Sequence, residues 1–176
     1  ALIVGFSAES LIADMVTGLF MLFENQYNVG DIVEVGGFRG TVTSIGLRTT
    51  CITDSSDNIK IVNNSDMRNI LNRSERSSKA VADIGIPYDT DIEKLETKLP
   101  ALLEKIFEAN RERMNAVPVY LGVQELGESA VVLRFCADVT EKNIYAAQRS
   151  LNRDLFLGLR GLGIECPFPQ LDVHSK

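Results

Sequence analysis

Along residues 5–23, GFSAESLIADMVTGLFMLF, apolar and polar positions separate at a helical period. Placed at 100° per residue, Ala8, Leu11, Ile12, Met15, Val16, Leu19, Leu22 and Phe23 share one broad face. Ser7, Ser10, Asp14, Thr17 and Gly18 lie opposite. Such a helix divides an apolar environment from a wet one. Taken alone, the stretch also fits an N-terminal amphipathic helix docked on a soluble core. After it the period changes from helix to strand. Short β-branched runs at 31–35, 38–45, 47–53 and 59–62 are separated by the Gly36-Gly37 turn and the polar turn DSSDN. This pattern predicts a small, strongly twisted antiparallel barrel or sandwich. A helical turn over 64–69, capped by Asn64 or Ser65, and a last strand over 70–74 complete the module.

The polar run NRSERSSK, 72–79, marks a boundary, and a second pattern follows it. Residues 80–88 read as a strand. Residues 89–112 carry Ile92, Leu95, Leu99, Leu102, Leu103, Ile106 and Phe107 at three- and four-residue steps. Pro100 falls inside that helix, where an unkinked backbone loses about 3 kcal/mol, so a kink is expected. A hairpin over 119–126 and 130–139 turns at Gly127-Glu128, with Val131, Leu133, Phe135, Ala137 and Val139 inward. A second helix, capped by Thr140, runs to about Gly161. Strand, helix, strand, strand, helix is a ferredoxin-like α+β layer. The tail CPFPQLDVHSK is too rich in proline for a central strand; residues 171–174 suit an edge strand or pairing among copies.

Composition narrows the function classes. The net charge of −6 argues against broad phosphate-backbone binding. Cys51, Cys136 and Cys166 have no paired spacing and suggest neither a disulfide frame nor a metal site. The one histidine, His174, is two positions before the last residue. Asp54/Asp57 and Asp89/Asp91 sit where acids cap turns and helices. Gly36 to Gly40, GGFRG, reads as hairpin geometry rather than an anion cradle. No catalytic residues, metal ligands or cofactor are assigned, and an enzyme is not expected. Glu9 and Asp14 would each cost about 2.5–3.5 kcal/mol at a bilayer centre, so they belong at its edge or against water. No uncharged run of about 20 residues occurs, and complete membrane spans are expected upstream of Ala1.

Four segments in order, GFSAESLIADMVTGLFMLFENQYNVGD, GGFRGTVTSIGLRTT, VNNS and PFPQLDV, resemble the small-conductance mechanosensitive (MscS-like) channel family. The resemblance covers essentially the whole chain. It implies a homoheptamer that opens under membrane tension and releases ions and small solutes on hypoosmotic shock. It further implies contact with membrane lipid, no nucleic acid, and a place in the cell (inner) membrane with residues from about 28 onward cytoplasmic. Residues 1–27 would be the end of the third, pore-lining transmembrane helix and 28–76 an Sm-like β-domain. Residues 77–166 would form the ferredoxin-like domain of a hollow cage, and 167–176 a strand of an intersubunit barrel.

By register from Gly18 and Gly30, Leu2 and Phe6 match the family's pore constriction. Gly5, Ala8, Glu9, Ser10 and Gly18 match its packing and kink positions. Glu9 and Ser10 stand where the family typically has Gln followed by Gly or a polar residue, and Asn63 stands where it commonly has Pro. Ile12, Met15, Val16, Leu19 and Phe23 would then pack on the β-domain or the membrane edge. Asn28, Gly30 and Asp31 would turn the chain into the β-domain, and Pro167, Phe168, Pro169 and Gln170 would lead into the barrel. The alternatives are an acidic oligomeric RNA-binding module and a purely structural oligomerising domain.

Overall fold

A computed structural model describes residues 2–169, without the side chains at positions 2–8, 10 and 22. The chain is α+β and divides into two compact units, Ala1–Arg76 and Ser77–Lys176.

The first unit opens with α1 (Leu2–Glu24). Strands β1 (Ile32–Val35), β2 (Phe38–Ile45), β3 (Thr49–Thr53) and β4 (Ile59–Asn63) follow as an antiparallel meander. β5 (Leu71–Asn72) returns beside β1, so the sheet order is β4-β3-β2-β1-β5. The β1–β2 hairpin turns on two residues, Gly36 and Gly37, at φ +54° and +74°. Left-handed geometry at both positions matches the strand twist, and glycine adopts it without steric penalty. Val33, Val35, Val42, Ile52, Val62 and Met67 form the core with Met21 of α1 and Tyr27. Two strands come out shorter than their apolar runs: β3 starts at Thr49, and β5 is two residues rather than the five of 70–74. The expected turn at 64–69 is a 3-10 helix, Asp66–Asn69, and Ser65 makes no side-chain cap to it. Ser65 and Asn64 are engaged elsewhere.

In the second unit β6 (Ser78–Ile86), β7 (Val119–Leu126) and β8 (Val131–Val139) form an antiparallel sheet of order β6-β8-β7. β8 alternates strictly between buried and half-buried positions because one face is covered by helices. Leu133, Phe135, Ala137 and Val139 are fully enclosed. α2 (Ile92–Ala109) contributes Leu95, Leu99, Leu103 and Ile106, and α3 (Ile144–Gly161) contributes Ala147, Leu151, Leu155 and Leu159. α2 holds the whole apolar stripe but starts later than the expected 89–112 because Asp91 caps it, accepting from the Lys94 backbone N–H at 3.0 Å. It runs through Pro100 as one helix. Thr140 does not cap α3. It precedes a 3-10 turn, Glu141–Asn143, and its side chain makes no capping bond.

Asp138, on the outer side of β8, accepts from Lys79 Nζ at 2.5 Å, Asn115 Nδ2 at 2.9 Å and Ser77 Oγ at 2.9 Å. Lys79 first, then Asn115 and Ser77, holds its carboxyl down to about 2 from an ordinary 3.8. A carboxyl depressed in the folded state stabilises above the unfolded value, and that stabilisation fades as pH falls from about 4 towards 2. Wild type and Asp138→Asn are therefore expected to differ in urea midpoint at pH 6 and to converge near pH 2. A gap independent of pH would show that the charge contributes nothing.

Candidate functional site

α1 is docked by its polar side. Asp14, Thr17, Gly18 and Met21 are buried, while Leu11, Ile12, Met15, Val16, Leu19, Phe20 and Phe23 are exposed, Phe23 at 78%. The expected coupling face, Ile12, Met15, Val16, Leu19 and Phe23, does not lie on the β-domain. Of the two environments expected for it, only one outside this unit is left. The reason lies in residues that the sheet brings up against the helix from far along the chain.

Asp14, 1% exposed, is the first anchor. Its carboxylate accepts from the Ser65 backbone N–H at 3.2 Å, from the Ser65 hydroxyl, and from Arg48 Nε at 3.4 Å. A buried carboxylate is tolerable only when so compensated. Arg48 stays 57% exposed and keeps its hydration. One turn along, Thr17 Oγ1 accepts from Arg68 Nη2 at 2.8 Å. Gly18 sits on the Asn64 side chain: a Cβ at position 18 would overlap the amide and come within 3.0 Å of the Leu47 carbonyl oxygen. Close approach is what glycine supplies here, at a helical position where it otherwise costs about 1 kcal/mol.

Asn64 is fully enclosed and saturated. Nδ2 donates to the carbonyls of Gly46 and Leu47, both at 3.1 Å, and Oδ1 accepts from Thr50 Oγ1 at 3.0 Å. Because the Thr50 proton is used on Asn64, the Tyr27 hydroxyl, 2.9 Å away, donates to Thr50. The chain of bonds thus runs from the loop after β2 through Asn64 and Thr50 to Tyr27, just beyond α1. Met21 Sδ lies 3.4 Å from the same hydroxyl.

The turn below the helix comes together from Asn28, Gly30 and Asp31. The Asn28 N–H donates to Asp31 Oδ2 at 2.9 Å, and the Gly30 N–H, at φ +101°, donates to the Val42 carbonyl at 2.8 Å. Asn72 Nδ2 ties Asp31 and the Gln26 carbonyl to β5, at 3.3 and 3.0 Å. Glu9 is exposed. The side chains of Leu2, Gly5, Phe6, Ala8 and Ser10 lie outside those described, as does Gln170. Pro167, Phe168 and Pro169 follow α3 in irregular backbone, with Phe168 exposed. Among the described residues no cluster of potential metal ligands occurs, and no helix is long and apolar enough to cross a membrane.

Sequence reasoning missed Arg48, Ser65 and Arg68 as partners of the helix. The available signal was the spacing of Asp14, Thr17, Gly18 and Met21, at i, i+3, i+4 and i+7. That is a helix-contact stripe with polar residues in it.

Residues 10–75 match the sequence profile of the mechanosensitive ion channel β-domain. Over 173 residues, 98% of the chain, it is 31% identical to a small-conductance mechanosensitive channel of Caldanaerobacter subterraneus subsp. tengcongensis. The chain is thus MscS-like, with residues 10–75 matching the β-domain of that channel family. It spans 61% of that relative's length. A 99-residue stretch is 33% identical to the mechanosensitive channel MscK of Escherichia coli, where it covers 9% of the protein. The crystal structure of Helicobacter pylori MscS in the closed state shares the fold over 99% of this chain and 69% of that one, at TM-score 0.82 and 18% identity. The profile match takes in the whole joint, from Asp14 to Arg68, and these relatives lend the RNA-binding alternative no support.

The Asp14 anchor has a measurable weight. Asp14→Asn keeps the shape but removes the charge that strengthens three donations, and should cost the chain about 1–2 kcal/mol in urea unfolding at neutral pH. Unchanged stability would mean that Ser65 and Arg48 are equally well satisfied without it.

Proposed function

We propose that the chain is the pore-helix end and cytoplasmic part of a tension-gated channel that passes ions and small solutes on hypoosmotic shock. One observation carries the reading: α1 is fixed to the β-domain through Asp14, Thr17 and Gly18 while its large apolar side chains stay uncovered. A helix that needed only a soluble core would bury the opposite face. In this reading the uncovered face meets lipid and the rest of the membrane region and, along the side that carries Glu9, the water of the conduit. Bilayer tension favours a wider membrane state, and the joint transmits the movement of α1 as a rigid lever.

Residues 1–27 then end the third transmembrane helix, in the cell membrane, and residues from about 28 onward lie on the cytoplasmic side. Leu2 and Phe6, repeated in several copies (seven, as the family resemblance implies), form an apolar constriction that excludes ions by dewetting. Gly5, Ala8 and Ser10 provide close packing between neighbouring pore helices. Residues 28–76 are an Sm-like β-domain. Residues 77–166 are a ferredoxin-like domain, a reading supported by the order β6-β8-β7 with both helices on one face. Residues 167–176 supply the closing barrel, with Pro167, Phe168, Pro169 and Gln170 as its lead-in.

The test is electrophysiological. The full-length protein in liposome patches should give discrete currents under suction and none at rest. It should also rescue channel-deficient cells from osmotic downshock. Patches silent up to the lytic tension would refute the proposal.

A further inference from the structure

We infer that Glu9 sets the charge preference of the permeation path, drawing cations in and holding anions back; this rests on the pore reading above. Residues 1–24 contain three acids, Glu9, Asp14 and Glu24, and no lysine, arginine or histidine. The joint disposes of one of them, since Asp14 is buried against Ser65 and Arg48. Glu24 ends the helix, where Gln26 donates to it, and lies about 22 Å along the axis from Glu9. Glu9 is exposed and, among the described residues, has no hydrogen-bond or ion-pair partner. Among the described residues it is therefore the one uncompensated charge on the first half of α1.

Its position on the helix gives that charge a direction. α1 is continuous from Leu2 to Glu24, so positions 2, 6 and 9 follow i, i+4 and i+7 along one stripe. Position 9 lies about 4.5 Å along the axis from position 6, a little under one turn. The docked residues Asp14, Thr17, Gly18 and Met21 occupy the far side of the helix, centred roughly 130° around from position 9. The bonds that hold α1 to the sheet thus also turn position 9 away from it, while position 6, about 20° around the axis from Thr17, lies nearer the docked side. If that stripe lines a conduit between copies, each copy adds one carboxylate immediately beside the apolar constriction. Charges a few ångströms from a permeating ion act inside the Debye length of about 8 Å at physiological salt, whereas those of Glu24 are screened. Rings of Glu at a narrow point favour cations by direct Coulomb attraction, an effect that grows with the number of copies.

The experiment measures reversal potentials of tension-activated currents from the full-length channel in a KCl gradient, for wild type, Glu9→Gln and Glu9→Lys. Wild type should prefer K+ over Cl−, Glu9→Gln should lower the permeability ratio by about threefold or more, and Glu9→Lys should invert it. Wild-type conductance should exceed that of Glu9→Gln at low salt and converge with it near 1 M, where the Debye length is about 3 Å. Tension-activated currents with the same reversal potential in wild type and Glu9→Gln, at every salt concentration, would overturn the inference and leave the channel reading standing. Absence of tension-activated current from wild type would overturn both.

Discussion

Asn64→Leu is expected to destabilise the first unit by about 3–5 kcal/mol, the largest effect of any single polar residue in the joint. Leucine nearly matches asparagine in volume, so the loss is not that of a cavity. It strips two carbonyls, Gly46 and Leu47, of their donor and Thr50 of its acceptor, all beneath α1. Buried groups left unpaired each cost about 1–3 kcal/mol. Thr50 then has its hydroxyl proton free, and the Tyr27 bond must reorganise with it. The sequence has no tryptophan and four tyrosines, so loss of the Tyr27 environment can be followed by near-ultraviolet dichroism alongside urea unfolding. A change below about 1 kcal/mol would mean that water substitutes for the amide. A double-mutant cycle sharpens the test. Gly18→Ala should cost about 1–3 kcal/mol by overpacking against Asn64, and much less once Asn64 is shortened to Ser. Equal costs in both backgrounds would show that the helix does not rest on that side chain.

How much of this was legible beforehand differs between the two units for a physical reason. In the second unit one face of each element is covered by apolar partners, so period is enough. Val131, Leu133, Phe135, Ala137 and Val139 declare the inner face of β8, and Leu95, Leu99, Leu103 and Ile106 declare the stripe of α2. The Gly36-Gly37 hairpin was legible because two consecutive left-handed residues have few other uses. Helix ends were less so, because Asp91 and Thr140 are equally good capping types and only Asp91 reaches a backbone N–H.

The docking side of α1 was left open in sequence, between the β-domain and the membrane edge. Hydrophobic patterning assumes that the apolar face goes inward, and here Asp14 and Thr17 go inward instead. Their partners lie 34 to 51 positions away, at Arg48, Ser65 and Arg68, beyond any local signal. In the proposed channel, an apolar face left open by a protein that satisfies its polar face so thoroughly belongs to a helix with two sets of neighbours, of which this unit is one. The same bonds explain why VNNS stands out in sequence: Asn64 and Ser65 serve the helix rather than the turn they occupy.

Phe6→Asn is the other large effect, and it acts on gating rather than folding. In the proposed pore, position 6 contributes one phenyl ring per copy to a constriction closed only by the reluctance of water to enter it. Transfer of each apolar side chain out of water is worth about 1.5–3 kcal/mol, and several copies multiply the term. An amide at that position would hydrate the throat, lower the free energy of the conducting state and so reduce the tension needed to reach it. The full-length variant should open at less than about half the wild-type suction, or leak at rest, and slow the growth of cells that express it. Leu2→Asn should act in the same direction and Phe6→Leu should not, because leucine restores the apolar ring. Asn64→Leu is expected to do the opposite, uncoupling α1 from the β-domain so that tension moves the helix without a cooperative response. An unaltered threshold in Phe6→Asn, with channels present and conducting, would move the constriction off this stripe and the assignment of positions 2 and 6 with it.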